Sequence, residues 1–171
     1  MHVLVLGSAG SGKSYLAKRM KAKGFYVIDE GWQIGLAKFA NKRTGRKVRY
    51  DPNGGKKWWG KHNYVHDIIC LKRLLKKHKT LYVIGLPEAG LPGKKYNLYK
   101  MFGKLYYLDA PKALIKKRLM TRKNNVFGKN PEELKIVLEN KARREKRFKK
   151  LGLKRIDATL PISKIIKIIT S

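Results

Sequence analysis

Acidic residues are scarce in this chain. Eleven Asp and Glu face forty-two Lys and Arg over 171 residues, a formal charge of +31. Such a surface repels basic partners and attracts polyanions, with nucleic acid the obvious class. The cations are spread along the whole chain, which suits a lysine-rich, solubilising surface. Nonspecific binding of RNA or DNA at low salt is expected on either reading. Cysteine is almost missing as well. Cys70 stands alone, so no internal disulfide forms, and a reducing cytoplasm is the expected compartment. Cys70 sits in an apolar helical stretch, where a small buried hydrophobe is expected rather than a catalytic thiol. No apolar run is long enough to span a membrane. The opening Met1-His2-Val3 enters a strand pattern at once and leaves no room for a signal peptide. Repeats and low-complexity linkers are absent too. With 43% hydrophobic residues, one domain over residues 1–171 is expected.

One short stretch is rich in what it needs. Gly7-Ser8-Ala9-Gly10-Ser11-Gly12-Lys13-Ser14 follows the apolar run Val3-Leu4-Val5-Leu6. Gly7, four residues, then Gly12-Lys13-Ser14 fits the phosphate-binding P-loop pattern in full. A buried strand before it and a helix after it supply the required setting. Glycines let the backbone turn tightly and bring its N–H groups against phosphate oxygens. The helix N-terminus adds favourable partial charge. Lys13 is placed for the β- and γ-phosphates, and the Ser14 hydroxyl for Mg²⁺.

Five strand patterns punctuate the chain, at 2–6, 25–28, 81–84, 105–108 and 155–156. Helical patterns fall at 15–23, 64–77, 112–121, 131–150 and 162–169. The alternation, with a P-loop at the first turn, predicts an α/β domain. Its sheet is doubly wound, parallel and five-stranded, with helices on both faces. Residues 42–61 break the rhythm. They hold eight basic residues, the single acid Asp51, four glycines and a proline, then Trp58 and Trp59. Long aperiodic segments are functional lids or disordered, and adjacent tryptophans speak against plain disorder. Packing of both tryptophans as anchors for an insertion is as good a reading as one of them covering a ligand.

Ligands of open α/β sheets sit at the carboxyl ends of the strands. Asp29 and Glu30 end the second strand pattern there. Asp29 suits an acceptor hydroxyl or water-held Mg²⁺; a helix cap or surface pair is the plainer alternative. The third strand runs into Gly85–Gly90 with Glu88 several residues late, so Asp29 is the better metal-side acid. Arg118 and Arg122, four apart, share a face on helical spacing, and paired guanidinium forks suit a transferring phosphoryl group.

The whole chain resembles the small P-loop kinases of the adenylate kinase and shikimate kinase type, and within them a nucleoside-kinase-like, AAA-labelled ATP-binding branch. The resemblance rests on Gly7–Ser14, Ile28-Asp29-Glu30 and Leu108-Asp109-Ala110 with Arg118 and Arg122. It continues through Asn124–Lys129 with Pro131-Glu132-Glu133, and Ile156-Asp157-Ala158-Thr159-Leu160-Pro161. It is thin over 42–61. The resemblance implies that Arg118 and Arg122 clamp phosphates, with Arg122 also stacking on adenine. It implies a lid over 122–131 and an adenine-bordering loop at Asp157, Thr159 and Pro161. Asp29 falls on the acceptor side, where Glu30, Trp58, Trp59 and Glu88 are the further candidates. The expected activity is phosphoryl transfer from ATP, with Mg²⁺, to a small-molecule hydroxyl or phosphate, first a nucleoside or nucleotide. A polynucleotide end as acceptor, or a nucleotide-dependent RNA-binding factor with slow hydrolysis, are the alternatives.

Overall fold

The structure is a computed structural model and describes residues 1–29, 34–86, 89–90 (backbone), 97–123 and 125–171. Five parallel strands form the main sheet. They are β1 (His2–Gly7), β2 (Val27–Asp29), β5 (Leu81–Ile84), β7 (Lys104–Asp109) and β8 (Lys154–Asp157), in the order β2-β5-β1-β7-β8. β1 lies in the middle, between β5 and β7. That position is why its sequence is a continuous apolar run: both of its faces are covered.

Side chains alternate across a strand, so each strand feeds two cores. Val3 and Val5 join Tyr82, Ile84, Tyr106 and Leu108 on one face of the sheet. There they meet α1 (Lys13–Lys21), α4 (Lys112–Thr121) and α6 (Ile162–Thr170). Leu4 and Leu6 join Leu81, Val83 and Tyr107 on the other face, under Ile68 and Leu71 of α3 (Ile68–Lys77). α5 (Pro131–Lys150) gives Val137 to the first core and Phe148 to the second. Val3, Leu4 and Val5 are each fully buried, worth about 1.5–3 kcal/mol apiece. The expected doubly wound sheet is therefore present. No helix among the described residues is long and apolar enough to cross a membrane.

One expected helix is shorter than the pattern suggested. Residues 64–66 are strand, not helix. β4 (His62–His66) pairs antiparallel with β3 (Ala37–Asn41), Phe39 opposite Tyr64, and parallel with β6 (Ala89–Gly90). Helix α3 starts only after Asp67, whose carboxylate accepts from the N–H groups of Ile69 (2.9 Å) and Cys70 (3.1 Å). An N-cap residue keeps extended backbone, so the helical period cannot run through it. The apolar spacing before Asp67 satisfies both periods, and strand pairing decided between them. Cys70 is half-buried, and burial raises its thiol, which donates to the Ile34 carbonyl at 3.6 Å.

Residues 42–61 are folded. Asn41 Oδ1 accepts from Arg43 N (2.9 Å) and Thr44 N (3.0 Å) and shapes the first turn. The chain then returns along β3, with Val48 N donating to Phe39 O at 3.0 Å, and ends in α2 (Gly55–Lys61). Lys42 Nζ donates to the Trp59 and Gly60 carbonyls, at 2.8 and 3.0 Å. A cation at a helix C-terminus satisfies groups that the helix leaves open.

Candidate active site

The P-loop leaves β1 at Gly7 and enters α1 at Lys13. Two positions tolerate only glycine. A Cβ on Gly7 would stand 2.5 Å from Ser11 Oγ, and Gly12 has φ +104°. Ser11 N donates to Ser8 O at 3.1 Å and closes the turn. The Ser11 hydroxyl is buried and has no partner among the described residues. Lys13 Nζ folds back on the loop, donating to the Gly7 carbonyl (3.0 Å) and the Ser8 carbonyl (2.9 Å). Ser8, Ala9 and Gly10 form the crest between these anchors.

Asp29 ends β2, across β5 from the P-loop strand. Its Oδ1 accepts from Ser14 Oγ at 3.5 Å, so the two expected metal-side groups do meet. Arg118, in the last turn of α4, donates from Nη1 to the carbonyls of Ser11 (3.0 Å) and Gly10 (3.4 Å). It also forms one wall of a cavity of about 320 Å³ beside the loop, with Gly12, Tyr15, Leu114, Thr159 and Leu160. Apolar side chains line much of it, with Ser11, Tyr15, Arg118 and Thr159 as polar groups.

Arg122 lies elsewhere. Helix α4 stops at Thr121 and Arg122 takes extended backbone, so the two arginines no longer share a helix face. The Arg122 guanidinium donates to the Phe127 carbonyl, and the residue is not among those lining the cavity. The guanidinium beside the cavity is that of Arg118. Asp157 and Pro161 also stand outside the lining. Asp157 accepts from Thr159 N (2.8 Å) and Thr159 Oγ1 (2.7 Å), and these bonds hold its carboxyl below the ordinary range. Its part is to shape the turn that presents Thr159, while Pro161 starts α6.

Asp109, which spacing alone gave no role, organises this edge. Its carboxylate accepts from Lys141 Nζ of α5 (2.7 Å) and Arg155 Nε of β8 (2.7 Å). Burial works against the charge, but the bonds from Lys141 and Arg155 outweigh it and hold the carboxyl low. Its backbone carbonyl accepts from Ala158 N at 2.8 Å and so fixes the cavity loop. An acid at a strand end in an acid-poor chain was the available signal, the same one that picked out Asp29.

The expected lid and the insertion form one packed layer. Phe39, Tyr50, Trp58, Trp59 and Tyr64 contact one another, with 5.0 Å between the two tryptophan rings. Phe127 of the 122–131 loop closes on Tyr50 (6.2 Å) and Trp59 (5.8 Å). Beneath it Glu133 is 2% exposed; it accepts from Gly128 N at 2.8 Å and from the Tyr50 hydroxyl. Burial, then that bond to Glu133, pushes the Tyr50 phenol up. Both tryptophans are half-buried in this layer, so they act as anchors of the insertion. Glu30, Glu88 and Asn124 lie outside the described residues.

This is the fold of the small P-loop kinases: a five-stranded parallel sheet with a P-loop at its central strand and helices on both faces. Among solved structures, shikimate kinase from Bacteroides thetaiotaomicron is similar at TM-score 0.61 and 14% identity, over 100% of this chain and 99% of that one. Shikimate kinase from Acinetobacter baumannii, in complex with shikimate, gives 0.58 and 15%, over 99% and 92%. Deoxyadenosine kinase from M. mycoides with bound dATP gives 0.55 and 15%, over 99% and 97%. No protein-family model matches the chain, and no curated protein matches its sequence.

Proposed function

We propose that this protein transfers the γ-phosphoryl group of ATP to a hydroxyl or phosphate of a small molecule, first a nucleoside or nucleotide. One observation carries the reading. Lys13, the Ser14–Asp29 pair at 3.5 Å and Arg118 converge on the P-loop beside the cavity. The residues fit the nucleotide: the loop has no room for a Cβ at Gly7, and the buried Ser11 hydroxyl lacks a partner among the described residues. They also fit Mg²⁺, which takes hydroxyl and carboxylate oxygens such as those of Ser14 and Asp29. ATP with Mg²⁺ supplies the activated phosphoryl group and neutralises its charge.

The protein supplies position and field. Lys13, now on the loop carbonyls, would hold phosphate oxygens. Arg118 braces the loop through the Ser11 and Gly10 carbonyls and would flank the base. Asp29 would orient the acceptor hydroxyl or, with Ser14, hold Mg²⁺. The aromatic layer, with the insertion and the 122–131 loop in one unit, shields the acceptor side, where water exclusion strengthens every charge interaction. Of the similar structures, deoxyadenosine kinase supports a nucleoside acceptor.

Release of ADP should be measured with Mg·ATP against nucleosides, nucleotides, sugars and short oligonucleotides. One small acceptor should stimulate turnover, and the stimulation should vanish with EDTA. Slow hydrolysis that no acceptor accelerates would overturn the reading. Stimulation by an oligonucleotide end, lost steeply with salt, would replace it with a polynucleotide kinase.

A further inference from the structure

The parallel sheet has two rims, and the acids are sorted between them. All five strands run the same way, so α1, α3 and α5 all end where β2, β5 and β8 begin. The last turns there carry Lys18, Arg19 and Lys21, then Lys76 and Lys77, then Arg147, Lys149 and Lys150. The connections add exposed Lys23 and Lys79, and β8 opens on exposed Lys154. Of the eleven acidic side chains, Glu30 and Glu88 lie outside the described residues. Of the other nine, Asp29, Asp67, Asp109, Asp157, Glu132 and Glu133 lie at the opposite end, at strand C-termini and helix N-termini. Asp51 belongs to the insertion, while Glu139 and Glu145 pair within α5 with Lys135 and Lys141.

A cation in the last turn of a helix complements its dipole. That accounts for one or so per helix, not for three, two and three with further lysines in the connections. Like charges at this density repel one another unless a polyanion lies over them. The rim also holds a flat platform. Tyr26, just before β2, is 51% exposed and stacks on His78, just before β5, at 3.8 Å between ring centroids. His2 beside them is held below its ordinary value, by burial first and then by the amino terminus and His78. Met20, Phe148 and Ile169, in the last turns of α1, α5 and α6, are buried in the core. Met1, 54% exposed at the head of β1, is a single apolar side chain and not the apolar face that a lipid surface takes up. Cations interleaved with an exposed aromatic platform suit a strand of nucleotides, phosphates on the lysines and a base on the ring.

We infer that the rim at the N-terminal ends of the strands is a docking surface for single-stranded nucleic acid, on the far side of the sheet from the P-loop. It spans about 19 Å from β2 to β8 at ordinary strand spacing. Docking there is independent of phosphoryl transfer, because none of these residues touches the P-loop edge.

The test is fluorescence anisotropy of a labelled oligoribonucleotide across a salt titration. The rim variant is Lys23→Gln/Lys79→Gln/Lys150→Gln/Lys154→Gln. The control, Arg43→Gln/Arg46→Gln/Lys47→Gln/Arg49→Gln, removes equal charge from the insertion. All eight positions lie on the surface, so both variants should keep the wild-type melting temperature. The rim variant should bind about tenfold or more weakly, with the salt slope reduced by about 0.7 for each phosphate no longer neutralised, and the control much less so. Tyr26→Ala should weaken single-strand binding about fivefold or more and leave duplex binding unchanged. Equal losses in the two quadruple variants, or a larger loss in the control, would overturn the assignment. So would unchanged affinity in Tyr26→Ala. Loss of binding to phosphatidylserine–phosphatidylcholine vesicles in the rim variant, with oligonucleotide binding intact, would reassign the rim to a lipid surface.

Discussion

The P-loop and the aromatic layer are built on different principles. The P-loop is eight consecutive residues whose backbone does the work. Glycine at Gly7 and Gly12 makes it possible, and Lys13 bonds back to its own loop. The aromatic layer draws on residues 39, 50, 58, 59, 64 and 127, which meet only after the insertion and the 122–131 loop have folded onto each other. A backbone site of this kind is rigid and tolerates almost no side-chain change at its glycines. A side-chain layer is cooperative: each ring depends on the others, so damage spreads along it.

Breaking the P-loop should have the largest effect. Lys13→Ala is expected to lower phosphoryl transfer by about 10³-fold or more, with an unchanged melting temperature; near-normal turnover would end the kinase reading. Asp29→Asn comes next. It keeps size and loses charge, so kcat should fall by about 10²–10⁴-fold with ATP affinity little altered. If Asp29 only steadies Ser14, melting temperature will drop while turnover survives, and measuring both on one variant separates the two.

The aromatic layer should fail through stability. Tyr50→Phe removes the hydroxyl that Glu133 accepts and leaves a buried carboxylate under-satisfied, at about 1–3 kcal/mol. For a chain of this size that is roughly 2–4 °C per kcal/mol in melting temperature. Limited proteolysis should at the same time cut faster near Gly128, which the same carboxylate holds.

Asp109→Asn tests the cavity side of the comparison and has a definite pH dependence. The folded-state carboxyl is held low by Lys141 and Arg155 against burial, so its contribution is complete above the unfolded pKa and disappears as pH falls through the folded value. The variant should be less stable than wild type by about 1–3 kcal/mol near neutrality, and the gap should close in acid. A gap that persists at low pH would mean that size, not charge, matters at this position. The smallest effect is expected from ligand. An ATP analogue should slow protease cleavage within 122–131 a few-fold, and equal rates with and without it would remove the loop from the nucleotide's reach.

Much of the fold was legible because it is local. Strand, P-loop and helix follow one another within twenty-one residues, and the buried central strand shows as an unbroken apolar run. The helices at 112–121 and 131–150 carry their own boundaries, the latter with Asn130 capping Glu132 N at 2.9 Å. Residues 64–66 mislead because Tyr64, Val65 and the apolar positions after Asp67 fit one helical period. Only the partner strand, with Phe39 opposite Tyr64, distinguishes the two. The arginine pair misleads for a similar reason. Spacing assumes a helix that continues, and α4 stops between Arg118 and Arg122.

The sequence by itself determined the phosphate-binding edge, since glycine conformation, helix polarity and the Lys13-Ser14 pair need no distant partner. It also determined the total charge. Tertiary structure decided which acid reaches Ser14, which arginine walls the cavity, and that Trp59 packs on Phe127. It also decided that eleven of the cations gather on one rim while six of the nine described acids gather at the other. Those outcomes depend on strand order and on where helices end, and both are set by packing between residues far apart in the chain.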